Sequence, residues 1–128
     1  MKKLILIMLT MLVLTACGQD KENVQEAVYV NITAEEAKSI MDTEEGYIIL
    51  DVREQEEYDA GHIPGANLIP YTQIEEKANE MLLDKDQLIL VYCRSGRRSK
   101  IAAEALVELG YTNIKEFGGI IDWPYEVE

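Results

Sequence analysis

The segment Cys93-Arg94-Ser95-Gly96-Arg97-Arg98-Ser99 carries the residues best suited to chemistry. It follows the apolar run Gln87-Leu88-Ile89-Leu90-Val91-Tyr92 and leads into a helical pattern. A thiol between a strand and a helix faces backbone N–H groups that the helix leaves unpaired, together with the positive end of its dipole. That field favours thiolate over thiol, so the pKa of Cys93 should fall below its ordinary ~8.5. Arg94, Arg97, Arg98 and Lys100 are four of the ten basic residues that follow residue 16. Gly96 lets the loop turn tightly with its donors inward. A nucleophilic thiolate in a positive cradle would attack an anionic substrate. The alternative, a small hydrophobe at a strand end, fits poorly with the flanking arginines.

Two further places invite a functional reading. Asp51 and Arg53 end another apolar run, Tyr47-Ile48-Ile49-Leu50-Asp51-Val52. As a matched ion pair they are expected to hold loops together more than to act on substrate, though they could orient the site. His62 is the sole histidine and suggests a Cys–His pair. It lies in the turn Gly61-His62-Ile63-Pro64-Gly65, which reads as a hydrogen-bonded structural element. A cradle of donors would activate Cys93 without a base.

The elements that must position these residues alternate along the chain. Thr33-Ala34-Glu35-Glu36 has capping-box spacing and opens a helix to about Met41. The run from Tyr47 to Val52 is a buried strand, and Glu54 to Tyr58 a short helix closed by Gly61. Asn67-Leu68-Ile69 is a short strand ended by Pro70. Thr72-Gln73-Ile74-Glu75 is a second capping box, opening a helix through about Leu83. The run from Gln87 to Tyr92 is the strongest strand. Ser99 to Leu109 is a helix with Ile101, Ala102, Ala105, Leu106 and Leu109 inward, closed by Gly110. Asn113 to Phe117 is a last strand, and Trp123 beyond it is core or rim packing. This alternation predicts an α/β domain with a mainly parallel sheet and function at the carboxyl ends of its strands.

Asp51-Val52-Arg53, Glu56 with Tyr58, Gly61 to Ala66, Tyr92 to Ser99, and Gly118-Gly119 with Trp123 occur in the order and spacing of a single-domain rhodanese. The resemblance spans residues 30–124. It implies a five-stranded, mainly parallel sheet flanked by helices, and sulfurtransferase chemistry without metal or organic cofactor. Cys93 would take a sulfane sulfur from thiosulfate, forming a persulfide, and pass it to cyanide or a thiol. Arg94, Ser95, Gly96, Arg97 and Arg98 would bind around that sulfur. A related cysteine phosphatase is the second enzyme reading, with Cys, five residues, then Arg. Here Ser99 stands six after Cys93 and Arg98 one short, a smaller ring that suits one sulfur atom and crowds a phosphoryl group. A non-catalytic persulfide carrier is the third.

The chain has 128 residues, with 24 Asp+Glu against 12 Lys+Arg, a length suited to one domain. So acidic a body would be repelled by nucleic acid and anionic lipid, and its apolar residues fall in periodic blocks unlike those of a disordered chain. Met1-Lys2-Lys3 and the apolar stretch from Leu4 to Leu14 read as a signal peptide over residues 1–16, too short to span a membrane. Losing it removes two lysines and leaves a net charge of −14, ten basic residues against 24 acidic. Leu14-Thr15-Ala16-Cys17 resembles a bacterial lipobox, which implies that Cys17 is lipidated and begins the mature chain. Residues 17–29 are then a polar tether and 30–128 the folded domain. An extracytoplasmic protein, anchored through lipid alone, is the expectation. Cys93 is left as the free thiol, with no disulfide framework.

Overall fold

Five strands form one sheet in the computed structural model, which describes residues 28–128. The expected signal peptide, the expected lipidation of Cys17 and nearly all of the expected tether fall on residues 1–27, outside the described residues. The elements run β1 (Val30–Asn31), α1 (Ala34–Thr43), β2 (Ile48–Asp51), α2 (Gln55–Ala60), β3 (Asn67–Leu68), α3 (Ile74–Met81), β4 (Ile89–Cys93), α4 (Arg97–Glu108) and β5 (Ile114–Gly119). Every strand pairing is parallel, in the order β1-β5-β4-β2-β3. The strand order reverses between β2 and β4, the point of an open parallel sheet at whose carboxyl edge functional sites are expected. Cys93 and Asp51 end those two strands.

Side-chain alternation along the strands builds two cores. Leu50, Val52, Ile89, Val91, Cys93 and Ile114 face α3 and α4, where Ala78, Ala102, Ala103 and Leu106 meet them. Ile49, Leu90, Tyr92 and Phe117 face the other way, onto Ala37 of α1, Ile63 and the carboxyl-terminal segment with Trp123. Both faces are thus covered, as runs of apolar residues in parallel strands require. Tyr29, which the sequence places at the end of the tether, packs against the α4 side.

The elements differ from their expected bounds in three instructive places. Thr33 caps α1, its Oγ1 accepting from Glu36 N at 3.1 Å. Thr72 does not cap α3. Pro70 leads into a single 3-10 turn over Tyr71–Gln73, held by Tyr71 N on Val52 O, and the helix starts only at Ile74. Thr72 is therefore inside the turn, where its hydroxyl cannot flank the helix. α2 instead carries a capping box that the sequence reading overlooks, Glu54 with Glu57.

The third difference concerns α4, which starts at Arg97 and turns Ile101 outward, 40% exposed. Its buried stripe is Ser99, Ala102, Ala103 and Leu106, a spacing of i, i+3, i+4, i+7. A serine heads that stripe, so a reading by hydrophobicity alone centres it one residue early.

Candidate active site

Strand β4 is buried along its whole length and delivers Cys93 at its end, 1% exposed. Beyond it the chain makes a tight ring before α4 begins. Gly96 sits at φ +104°, in the left-handed region, and turns its N–H onto Cys93 Sγ at 3.0 Å. The pairing between β4 and β5 slips between Val91 and Cys93, bringing Gly119 opposite Cys93. There the two backbones nearly touch: a Cβ on Gly119 would lie 1.9 Å from the Arg94 carbonyl oxygen. The loop keeps its shape because β5 presents no side chain at that point.

The electrostatics of the thiol follow from that ring. Burial pushes the Cys93 thiol up. The Ser99 hydroxyl and the backbone N–H groups of Ser99, Gly96 and Ser95 outweigh it, and the net shift is downward from the ordinary value. The downward direction and the backbone donors agree with the sequence expectation, and the Ser99 hydroxyl adds a cause that the sequence does not supply.

The three arginines do different things. Arg94 and Arg97 are exposed, with Arg97 5.9 Å from the centre of the Tyr71 ring. Arg98, expected around the sulfur with them, is held elsewhere. Its Nη1 and Nη2 donate to the two carboxylate oxygens of Glu57 at 2.7 and 2.8 Å, tying the first turn of α4 to α2. That guanidinium holds the Glu57 carboxyl down at about 2. Ser95 and Gly96 meet the sulfur through backbone N–H groups, not side chains.

Asp51 and Arg53 form a buried pair at the end of β2. Arg53 Nε and Nη2 donate to Asp51, Tyr92 Oη donates to Asp51 Oδ2 at 2.7 Å, and Arg53 Nη2 also reaches Gly61 O. Tyr92 Oη accepts in turn from Ile63 N. The network joins β2, β4 and the turn at 61–65. His62 belongs to the same turn. Its ring stacks on Tyr58 at 3.8 Å, its Nδ1 lies 2.9 Å from Tyr58 O, and its backbone exchanges two hydrogen bonds with Glu128. None of its hydrogen bonds reaches Cys93.

Two residues of the site were not singled out by the sequence reading. Ser99 Oγ lies 3.4 Å from Cys93 Sγ, and beneath it Glu116, 2% exposed, accepts from Ser99 Oγ at 2.6 Å and from Gly118 N at 2.8 Å. The available signal is alternation in β5, which puts Glu116 on the same face as Ile114.

The rhodanese-like domain model matches residues 33–124. The chain belongs to the rhodanese-like family. Among rhodanese-like relatives, it is 40% identical to the thiosulfate sulfurtransferase PspE of Escherichia coli K12 over 73 residues, 57% of this chain and 70% of that protein. It is 41% identical to the putative sulfur carrier protein YrkF of Bacillus subtilis over 98 residues, 76% of this chain. That match spans only about half of YrkF, 52%. The crystal structure of a rhodanese-related protein from Thermoplasma volcanium superposes with a TM-score of 0.68 at 33% identity, covering 78% of this chain and 98% of the other. The solved structure of a rhodanese with anions from E. coli gives 0.60 at 35%, covering 64% and 96%. The rhodanese-like fold and membership of a sulfurtransferase family are thereby established.

Proposed function

We propose that this chain is a sulfurtransferase that moves sulfane sulfur through a persulfide on Cys93. The donor is thiosulfate or a similar small anion, and the acceptor is a thiol or cyanide. The observation that carries the reading is the Gly96 N–H aimed at Cys93 Sγ at 3.0 Å, in a ring whose donors draw the thiol below its ordinary pKa. Thiolate attack on the outer sulfur of the donor breaks its S–S bond and releases sulfite with the electron pair. The new terminal sulfur is anionic, and a ring of N–H donors suits it. Exposed Arg94 and Arg97 draw the anion in, while Arg98 braces the loop through Glu57. Six residues from Cys93 to Arg98 make a ring sized for one sulfur atom, which favours sulfur transfer over phosphate-ester hydrolysis. The reading includes a location: cleavage after Ala16 and lipid on Cys17 would hold the domain outside the cytoplasm on a bacterial membrane.

Intact mass after incubation with thiosulfate tests the chemistry. A reductant-labile gain of about 32 Da, one sulfur, should appear on wild type and not on Cys93→Ser. Thiosulfate-to-cyanide turnover should vanish in that variant, and aryl phosphates should remain uncleaved. Hydrolysis of aryl phosphates with no mass gain from any sulfane donor would overturn the reading. An adduct without turnover would favour a carrier. For the location, Cys17→Ser should move the protein out of the membrane fraction with its fold intact.

A further inference from the structure

A buried carboxylate under a cysteine nucleophile needs a reason. Glu116 brings negative charge close to a sulfur that must itself become negative, in a place where water screens little. The connection between them is Ser99, fully buried, whose hydroxyl oxygen lies 2.6 Å from Glu116 Oε1 and 3.4 Å from Cys93 Sγ. The hydroxyl has one hydrogen. Its possible acceptors are Glu116, the carbonyls of Gly96 at 3.0 Å and Gly118 at 3.4 Å, and the sulfur when ionised. With Cys93 as a thiol, the chain of donors runs from sulfur to Ser99 to Glu116. Once Cys93 is a thiolate, Ser99 can donate to it only by turning away from Glu116, unless Glu116 has taken a proton.

We infer that Cys93 and Glu116 share one proton through the Ser99 hydroxyl, so that Glu116 is a positioning and proton-holding residue for the nucleophile. The thiol proton passes to Ser99 Oγ as the Ser99 proton passes to the Glu116 carboxylate. The sulfur keeps the S–H electron pair, and Ser99 now donates to it. The buried site carries one negative charge before and after. If the sulfur-transfer reading holds, on which this role rests, the thiolate then attacks the donor's outer sulfur and sulfite departs with the electron pair. The persulfide is anionic, so the proton stays on Glu116 until sulfur is handed on.

Other charged groups around the pair are few. Burial first, then the charges of Glu104 on α4 and of Glu116, push up the Tyr29 hydroxyl before β1. Arg98 feels the charge on Cys93 and is neutralised by Glu57. Arginine keeps its charge across the accessible range and Tyr29 is held above its ordinary value, so neither adds an ionisation at neutral or mildly acid pH.

Thiolate absorbance against pH tests the relay without any sulfur donor, so it stands or falls separately from sulfur transfer. The full-length chain in detergent, read against its Cys93→Ser counterpart, isolates Cys93 from Cys17. Two coupled groups give two steps, a partial thiolate signal at lower pH and the remainder at higher pH. Glu116→Gln, which cannot take the proton, should collapse the curve to one step. Glu116→Asp should restore two. Ser99→Ala, which removes the bridge but leaves both ionisable groups, should shrink the lower step, and it carries the test should Glu116→Gln not fold. A single step in wild type, or two unchanged steps in Glu116→Gln, would overturn the inference.

Discussion

Arg98 and Glu57 show how a residue in a functional loop can be spent on architecture. Their bidentate contact ties α2, a six-residue helix with no buried residue, to the first turn of the well-packed α4. Because the folded-state pKa of Glu57 is depressed to about 2 from 4.5, its contribution to stability is present above pH 4.5. It is lost as the pH falls from there through 2. Both side chains are partly exposed, so screening holds the contribution to about 1 kcal/mol. Chemical denaturation of wild type and Glu57→Gln should therefore differ by a constant amount from pH 7 to 5, and by progressively less below 4.5. Arg94→Ala and Arg97→Ala should behave in the opposite sense, leaving stability nearly unchanged while weakening use of an anionic donor. A contact to the anion of this kind is worth ~1.5–3 kcal/mol where it is desolvated. Denaturation curves together with kcat/KM for each variant separate the two classes.

At the scale of elements, the active loop depends on how closely β5 approaches it. Replacing Gly119 by Ala would put a methyl group 1.9 Å from a backbone carbonyl oxygen and 2.5 Å from Ser95 N, where no side-chain rotation relieves it. The loop must move, and its N–H groups move with it. Overpacking of this kind costs about 1–3 kcal/mol, and displacing a reacting atom by an ångström lowers rate on the order of 10²-fold. Gly119→Ala should thus lose far more sulfur loading than its drop in thermal midpoint suggests. Loading that falls only in proportion to stability would show that the loop tolerates the shift.

The same contact marks where the sequence stops being legible. Cys93 was readable because an uninterrupted apolar run points straight at it, and Thr33 because its capping pattern is local. Ser99 and Glu116 were not, since their meeting is made by α4 packing on β5 across 17 positions. A serine on an inward helical stripe and a glutamate on an inward strand face each look like an irregularity alone. β1, two residues long, has no periodicity to read, and only pairing with Lys115 and Glu116 makes it a strand. Arg98 looked like its neighbours until α2 supplied Glu57.

Over the whole molecule, two fields of opposite sign act on an approaching anion. The chain carries 24 acidic and 12 basic residues, so from a distance it repels a dianion such as thiosulfate. Near the loop, Arg94 and Arg97 attract it. Salt separates the two by range. A domain of this size has a radius of gyration of about 13 Å, well inside the ~30 Å Debye length at ~0.01 M salt and comparable with the ~10 Å at ~0.1 M. Adding salt from ~0.01 M first screens the repulsion of the body, and kcat/KM for thiosulfate should rise. Beyond ~0.1 M the Debye length shrinks toward ~3 Å, the attraction of the arginines is screened in turn, and kcat/KM should fall. The profile is a maximum, where a uniformly charged molecule would give a slope of one sign. In the double variant Arg94→Ala/Arg97→Ala the falling limb should disappear and the rising limb remain. Steady-state rates across that range of salt decide it. A steady fall in wild type would mean that the acidic body is too distant to matter, and a steady rise would mean that the backbone ring binds the donor without the arginines.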